Sequence, residues 1–432
     1  MKRLLPALFL SVACGAGLVD HGGVDLQTVG GLQCTPPQQD CGGSACVSTE
    51  SDVNNCGACG LVCATPQHAT STCKGSGCGF TCHQGFFQCA SQGCCPASAL
   101  AAGGDTTCAV ADGTVQCWGS NLSGQLGTSP ASAPWSAKPV AVPDLPPAVS
   151  VSVGLAHACA ILAGTGEVMC WGANESFQLG VGAGNGPVKV PSVSGAQSVA
   201  LGDHHSCALT SAGAVCWGAN ESGQLADTTT STGPHPAVPN TVGTTSLTAG
   251  SAFACAAVSG KLWCWGSNAS GQILGASGPS SPTPVENRSV SNVSFTAAGS
   301  AHACAIGSGF WCWGSNAAGQ LGDGSTSDGF KGVNLPTSPT LVAAGALHTC
   351  AVSGGAPFCW GANASGQLGS GTTIAANRPT QVALSGVQQL ALGARHSCAQ
   401  TADGAVYCWG KNDSGQAAAP VSAAVVTPRP ID

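Results

Sequence analysis

Seven copies of one triplet, Cys-Trp-Gly, limit what this chain can fold into. Its cysteines stand at Cys117, Cys170, Cys216, Cys264, Cys312, Cys359 and Cys408, at intervals of 53, 46, 48, 48, 47 and 49 residues. A period of this length marks a repeat architecture, in which each unit buries its apolar face only against its neighbours. A second motif, Gly-x-x-His-x-Cys-Ala, precedes the triplet: Gly154 with His157, Gly202 with His205, Gly299 with His302, Gly345 with His348 and Gly393 with His396. Thr106 and Phe253 hold the histidine position in the first and fourth units. Seven units of about 48 residues fill the chain from Ser98 onward.

The second unit shows the local form. Residues Val149–Val153 alternate as a strand does, His157–Leu162 is a second strand, and Ala163–Gly166 turns. Glu167–Trp171 is a third strand, broken at Gly172, and Val188–Pro191 a short fourth. With 63 glycines and only 7% charged residues, the composition suits short strands and tight turns rather than long helices. The expected fold is all-β: a seven-bladed β-propeller of four-stranded antiparallel blades. Two cysteines flank the second turn of every unit, where opposed strand residues lie close enough for a bridge. Seven intra-blade disulfides follow: Cys108–Cys117, Cys159–Cys170, Cys207–Cys216, Cys255–Cys264, Cys304–Cys312, Cys350–Cys359 and Cys398–Cys408. Each closes a loop of about ten residues, worth roughly 2–3 kcal/mol in the chain-entropy account.

The two motifs together, the second continuing as Cys-Trp-Gly-x-Asn-x-x-Gly-Gln-Leu-Gly, resemble the repeat of the regulator of chromosome condensation family over about Ser98–Asp432. That resemblance implies the same seven-bladed propeller. Departures are Phe177 for glycine in the second unit, Ala226 for glycine in the third, and an inserted Ile273 in the fourth. The last unit runs into alanines after Gln416, leaving Val425–Ile431 to supply an outer strand. How the ring closes is left open.

Ahead of the repeats, Met1–Ala13 has a basic start and a short apolar run, too short to span a bilayer and of signal-peptide form. Ser11-Val12-Ala13-Cys14 resembles the lipobox of bacterial lipoprotein signal peptides, which implies lipid on Cys14; a plain secretory signal is the alternative. Of 27 cysteines, the repeats take 14 and lipid one, leaving an even twelve between Cys34 and Cys95. So small a segment needs staples to fold. Its run from Asn54 to Cys63, with Cys73, Cys78 and Cys82, resembles the cysteine-rich modules of stigma-specific-type secreted proteins. Cys56 and Cys59 also have zinc-ligand spacing, but no partnering histidine pair follows. The expected organisation is a signal peptide at 1–13, a lipid-anchored tether at 14–33, a disulfide module at 34–97 and the propeller at 98–432.

A net charge of −7 without a basic patch argues against nucleic-acid binding. Paired catalytic carboxylates, a phosphate-cradling loop and a nucleophile elbow are all missing from the sequence, so no enzyme, cofactor or metal is expected. The repeated tryptophans read as core between blades. The repeated histidines read as packing with a backbone hydrogen bond, and the asparagines after Trp-Gly as turn residues with unusual backbone angles. Asp323–Asp328 has two carboxylates but lacks the distal glutamate of a calcium loop.

Units differ most in Thr128–Val149, Val181–Val199, Asp227–Leu247, Ala276–Phe295, Asp323–Leu341 and Ser370–Leu390, the expected binding surface. The expected function is a non-catalytic, monomeric protein-binding or scaffold propeller on the bacterial envelope. It would engage a protein or surface glycan through these loops and the membrane through its lipid, as an outer-membrane or cell-surface lipoprotein or, alternatively, a secreted protein. The resemblance also admits an exported enzyme inhibitor, a propeller enzyme, or guanine-nucleotide exchange, the activity of the family's nuclear namesake. A cytosolic exchange activity conflicts with an exported, disulfide-rich chain.

Overall fold

The structure, a computed structural model, describes residues 33–432 apart from 37, 43–44, 90–92, 183–185, 192, 229–236 and 418–419. Cys14, the signal segment and the tether lie outside the described residues. The chain divides into two compact units, Met1–Ala64 with Thr72–Gly79, and Thr65–Ser71 with Phe80–Asp432. Cys82, Cys89, Cys94 and Cys95, contiguous in sequence with the cysteine-rich segment, therefore lie in the larger unit.

The smaller unit is built on cross-links. Cys34–Cys46, Cys41–Cys59, Cys56–Cys73 and Cys63–Cys78 bridge it, and its buried cluster is Cys56, Cys63 and Cys73 with Val53 against them. So few apolar side chains cannot offset the entropy of ordering the chain, and the disulfides supply what the core lacks.

The larger unit is a seven-bladed propeller of antiparallel sheets, each with its strands in chain order. In the second blade these are Ala148–Val153, His157–Leu162, Val168–Gly172 and Val188–Lys189. Six blades have four strands; the third shows three among the described residues. The first strands of all seven line an axial channel of about 430 Å³. In four blades a two-residue turn joins second to third strand, as at Asp112-Gly113 (φ 49° and 75°) and Ser259-Gly260 (φ 50° and 77°). Both central residues then have the positive φ of the hairpin turns that match strand twist. We call upper the face bearing the loops between first and second and between third and fourth strands, and lower the opposite face.

Each blade's cysteines are direct cross-strand partners with Cα atoms 4.0–4.1 Å apart: Cys108–Cys117, Cys159–Cys170, Cys207–Cys216, Cys255–Cys264, Cys304–Cys312, Cys350–Cys359 and Cys398–Cys408. The tryptophan beside each points to the other sheet face, so every junction packs the disulfide of one blade against the tryptophan of the next. Cys159 and Cys170 meet Trp217, for example, and Cys207 and Cys216 meet Trp265. All fourteen cysteines and all seven tryptophans are buried. The glycine after each tryptophan has φ of 100–109°. A Cβ at Gly172 would lie 2.6 Å from the Ala156 carbonyl oxygen, which forces glycine there.

Ring closure, open in the sequence, uses no strand exchange. The first blade is formed wholly by residues 99–141, and Ala424–Pro430 supplies the outer strand of the seventh. A segment that precedes the first blade lies across the seam instead. Gly85 donates its N–H to the Ile431 carbonyl (2.7 Å) and accepts from the Val406 N–H (2.9 Å), both in the seventh blade. On the first-blade side, Phe87 is buried with its ring 5.9 Å from that of Trp118, and Gln116 donates to the Gln88 carbonyl (2.9 Å).

Candidate functional site

The repeated histidines form one arrangement used again and again. His157, His205, His302, His348 and His396 are fully buried, each with its ring over the glycine three residues earlier. A Cβ at Gly345 would lie 2.2 Å from His348 Cε1, which is why the two residues recur together. In place of the expected backbone bond, Nε2 reaches a hydroxyl of the following blade: His157 to Ser206 (3.0 Å), His302 to Thr349 (2.9 Å), His348 to Ser397 (2.9 Å) and His396 to Thr107 (2.8 Å). The hydroxyl residue cannot be found from the histidine's own unit. Its partner lies a full repeat away in the chain.

That hydroxyl spends its proton on a glutamine carbonyl of the histidine's own blade. Ser206 donates to Gln178 (2.8 Å), Thr349 to Gln320 (2.9 Å) and Ser397 to Gln367 (2.9 Å). It must therefore accept from the imidazole, which fixes the Nε2–H tautomer. The same carbonyl also takes the indole N–H of the following blade, as Gln320 does from Trp360 (2.9 Å). Histidine, hydroxyl, glutamine carbonyl and tryptophan thus make a latch between neighbouring blades.

Where a latch lacks its histidine it also lacks its hydroxyl. Phe253 is followed in the next blade by Ala303, and Thr106 by Ala158. The converse fails once: His205 faces Ala254 in place of a hydroxyl residue and has no hydrogen-bond partner on either ring nitrogen.

Burial is the main cause that holds these imidazoles neutral. His157 is pushed down to about 3 by burial and then by the charges of His205 and His204. Burial first, then His396 and His302, brings His348 to about 3. Burial alone takes His302 to about 4. In His205, at about 4, His204 adds to burial and the Ser251 backbone opposes it. His396, at about 4 through burial, is also drawn up by Asp105 and down by Lys411. Every Nδ1 of the five is buried without a partner, so a second proton would find no acceptor. These are positioning groups of the fold, shut off from solvent.

The asparagines correct the sequence reading in detail. None of the seven has a positive φ. Their amides clasp the loop between third and fourth strands instead. Asn121 Oδ1 accepts from the Leu126 N–H (3.0 Å) and Asn363 Oδ1 from Leu368 (2.9 Å), while Gln125 Oε1 accepts from Ser123 (2.8 Å). Asn, Gln and Leu recur because one side-chain network needs all three positions. The amides Nδ2 are occupied as well, Asn174 donating to the Val181 carbonyl (2.8 Å).

Five of the six variable segments contribute to both faces: each begins in an upper loop, continues as the outer strand and ends in the lower connection to the next blade, while Asp227–Leu247 shows no outer strand among the described residues. Phe177 stands out on the upper face. It is 47% exposed and has φ 59°, at a position held in the six other blades by glycine with φ of 76–81°. Leu155, Leu347 and Ile374 are exposed on the same face. The two carboxylates of Asp323–Asp328 are engaged internally. Asp323 accepts from Ser325 and faces Lys331 (3.4 Å), and Asp328 accepts from the Asn316 N–H (2.8 Å). The sulfurs of Cys56, Cys63 and Cys78 lie within 4.8 Å of one another. All three are committed to disulfides, Cys56–Cys73 and Cys63–Cys78. Among the described residues that line the axial channel, Asp203 is the one carboxylate, bonded by the Ser251 hydroxyl.

The Regulator of chromosome condensation (RCC1) repeat matches residues 148–178, 196–224 and 387–416 in one description and 112–161, 165–209 and 355–400 in a second. No curated protein matches the chain. Among solved structures, Prp20p of Saccharomyces cerevisiae, described with its binding to Gsp1p and histones, is 22% identical with a TM-score of 0.62. The likeness covers 69% of this chain and 81% of that one. Human WBSCR16 is 20% identical with a TM-score of 0.65, over 74% of this chain and 94% of that one. At these identities the likeness shows the fold.

Proposed function

The chain carries regulator of chromosome condensation repeats in a seven-bladed propeller, and on that premise we propose that it is an exported, non-catalytic protein-binding module. The observation that carries this is the contrast within each blade. The repeated histidines, tryptophans and asparagines are spent on latches and loop clasps, whereas the variable segments and the out-of-place Phe177 face solvent. An aromatic kept in a left-handed conformation, where glycine would be easier, and left half exposed offers a partner an anchor. The reading is supported by two solved structures of similar fold that are described with protein partners: Prp20p with Gsp1p and histones, and the same yeast protein bound to Kap60.

Thirteen disulfides among the described residues suit an oxidising compartment and disfavour nucleotide exchange on a cytosolic GTPase. No described helix is long and apolar enough to cross a membrane. The anchoring we propose is lipid on Cys14, with display on a bacterial envelope, the tether at 14–33 and a module at 34–97 ahead of the propeller. Cys14→Ala should then move the protein to the soluble fraction and abolish acylation.

Crosslinking in intact cells, followed by pull-down and mass spectrometry, tests the function. Exchanging Asp323–Leu341 and Ser370–Leu390 for the segments of another blade should remove the captured partner while thermal unfolding stays nearly unchanged. Capture that survives the exchange but disappears in a folded His348→Ala variant would place the site at the axis and overturn the reading.

A further inference from the structure

The junction between the seventh and first blades departs from the other six. In those six the tryptophan indole donates to the glutamine carbonyl of the preceding blade, at 2.8–3.0 Å. Among the described residues, Trp118 Nε1 at the seam is buried without a partner, and the Gln416 carbonyl takes the Thr107 hydroxyl alone, at 3.4 Å. The junction that lacks a repeat bond is also the one with bonds from outside the repeat. Gly85 joins Val406 and Ile431, Phe87 covers Trp118, and Gln400 and Gln389 donate to the carbonyls of Ala97 and Ser98.

Two disulfides hold this strap in shape: Cys82–Cys94 ties its two ends, and Cys89–Cys95 links the strand after Phe87 to its return. Without them, a stretch of about a dozen residues would have to pay its full conformational entropy to lie across the seam. Their exposure differs from that of the blade disulfides. Cys82 and Cys95 are partly exposed, while all fourteen blade cysteines are at 0%. Thiol–disulfide exchange needs a thiolate to reach a sulfur, so access decides which bridges react first.

We propose that Cys82–Cys89 and Gly93–Ala97 act as a redox-sensitive strap that locks the propeller ring, and that reducing its two disulfides unlocks the seam while the blades stay oxidised. A dithiol reductant attacks one sulfur of a strap bridge and forms a mixed disulfide. Its second thiol then displaces the protein sulfur. Two electrons and two protons pass to each bridge, leaving two cysteine thiols and the reductant as a cyclic disulfide. The strap loses its shape, Gly85 and Phe87 leave the seventh and first blades, and the seam opens more often than any other junction.

The test uses the full chain. Oxidised protein is treated with increasing dithiothreitol under native conditions, thiols are trapped by alkylation and mapped, and backbone hydrogen exchange is followed in parallel. Cys82, Cys89, Cys94 and Cys95 should be alkylated before any blade cysteine. At that stage exchange should quicken about tenfold or more in Ala99–Gly103 and Val387–Leu392, and stay unchanged in Ser198–Leu201 and Thr244–Ala249. Phe87→Ala, with all disulfides intact, should produce the same seam-confined increase. Alkylation of blade cysteines first, or an increase spread equally over all junctions, would sink the proposal. So would a seam left unaffected both by opened strap disulfides and by Phe87→Ala.

Discussion

The imidazole of His396 and the hydroxyl of Thr107 meet at 2.8 Å across the seam although 289 residues separate them in the chain. Thr107→Ala would leave a buried N–H without an acceptor. We expect a loss of about 1–3 kcal/mol in chemical or thermal unfolding, and near-recovery with Thr107→Ser, which keeps the hydroxyl. Equal stability of the alanine and serine variants would show that the bond contributes nothing.

The latch at the third junction is incomplete, and this predicts the opposite sign. Ala254→Ser places a hydroxyl where Ser206 stands one blade earlier, next to the unpartnered His205 and within reach of the Gln224 carbonyl by analogy with its neighbours. The expected gain is about 0.5–1.5 kcal/mol. A buried serine that destabilises the protein would mean that the pocket cannot admit the oxygen.

Acid should weaken the fold through these rings. Unfolded histidine titrates at about 6.5, whereas the five buried ones sit at about 3 to 4. Between those values the unfolded chain binds protons that the native protein does not. Stability is therefore full above about pH 6.5 and falls as pH drops towards 4. Each ring contributes about 1.4 kcal/mol per pH unit within that window. The double variant His302→Phe with Thr349→Ala copies the Phe253/Ala303 pairing and should flatten the unfolding-midpoint curve against pH by one ring's share.

Phe177→Gly separates stability from recognition. Glycine suits φ 59° without strain and removes an exposed ring, so stability should hold or rise by about 0.5–1 kcal/mol. Partner capture should fall. A stabilised variant that still captures its partner in full would free Phe177 of any part in binding.

The blades were legible in the sequence because their constraints are local. Cys170 and Trp171 are adjacent, alternation puts them on opposite faces, and seven copies repeat the message. The latch was half legible. His157 recurs with Gly154, but its partner Ser206 lies one repeat on, and a period fitted unit by unit hides a bond made between units. The asparagines misled because Asn serves turns in two ways, and their side-chain clasp leaves no mark on backbone angles. Ring closure was illegible. Gly85 and Phe87 lie among cysteines, outside the repeat, and nothing local ties them to Val406 or Trp118.

The strap also sets an order of assembly. Chains are made from the N-terminus, so residues 82–97 emerge before any blade, while the last segment they grip emerges after six blades are already made. Gln84 bonds to Asp432 across 348 residues. Six junctions can form one after another as successive blades appear, each between neighbours in sequence. The seventh must wait until Ile431 has emerged, and it closes the longest loop among the described contacts, a contact whose entropic cost rises with loop length and falls on the folding rate. Until then the nascent protein is an open arc with two raw ends, and an interruption of synthesis or export a few residues short of Ile431 would leave it so.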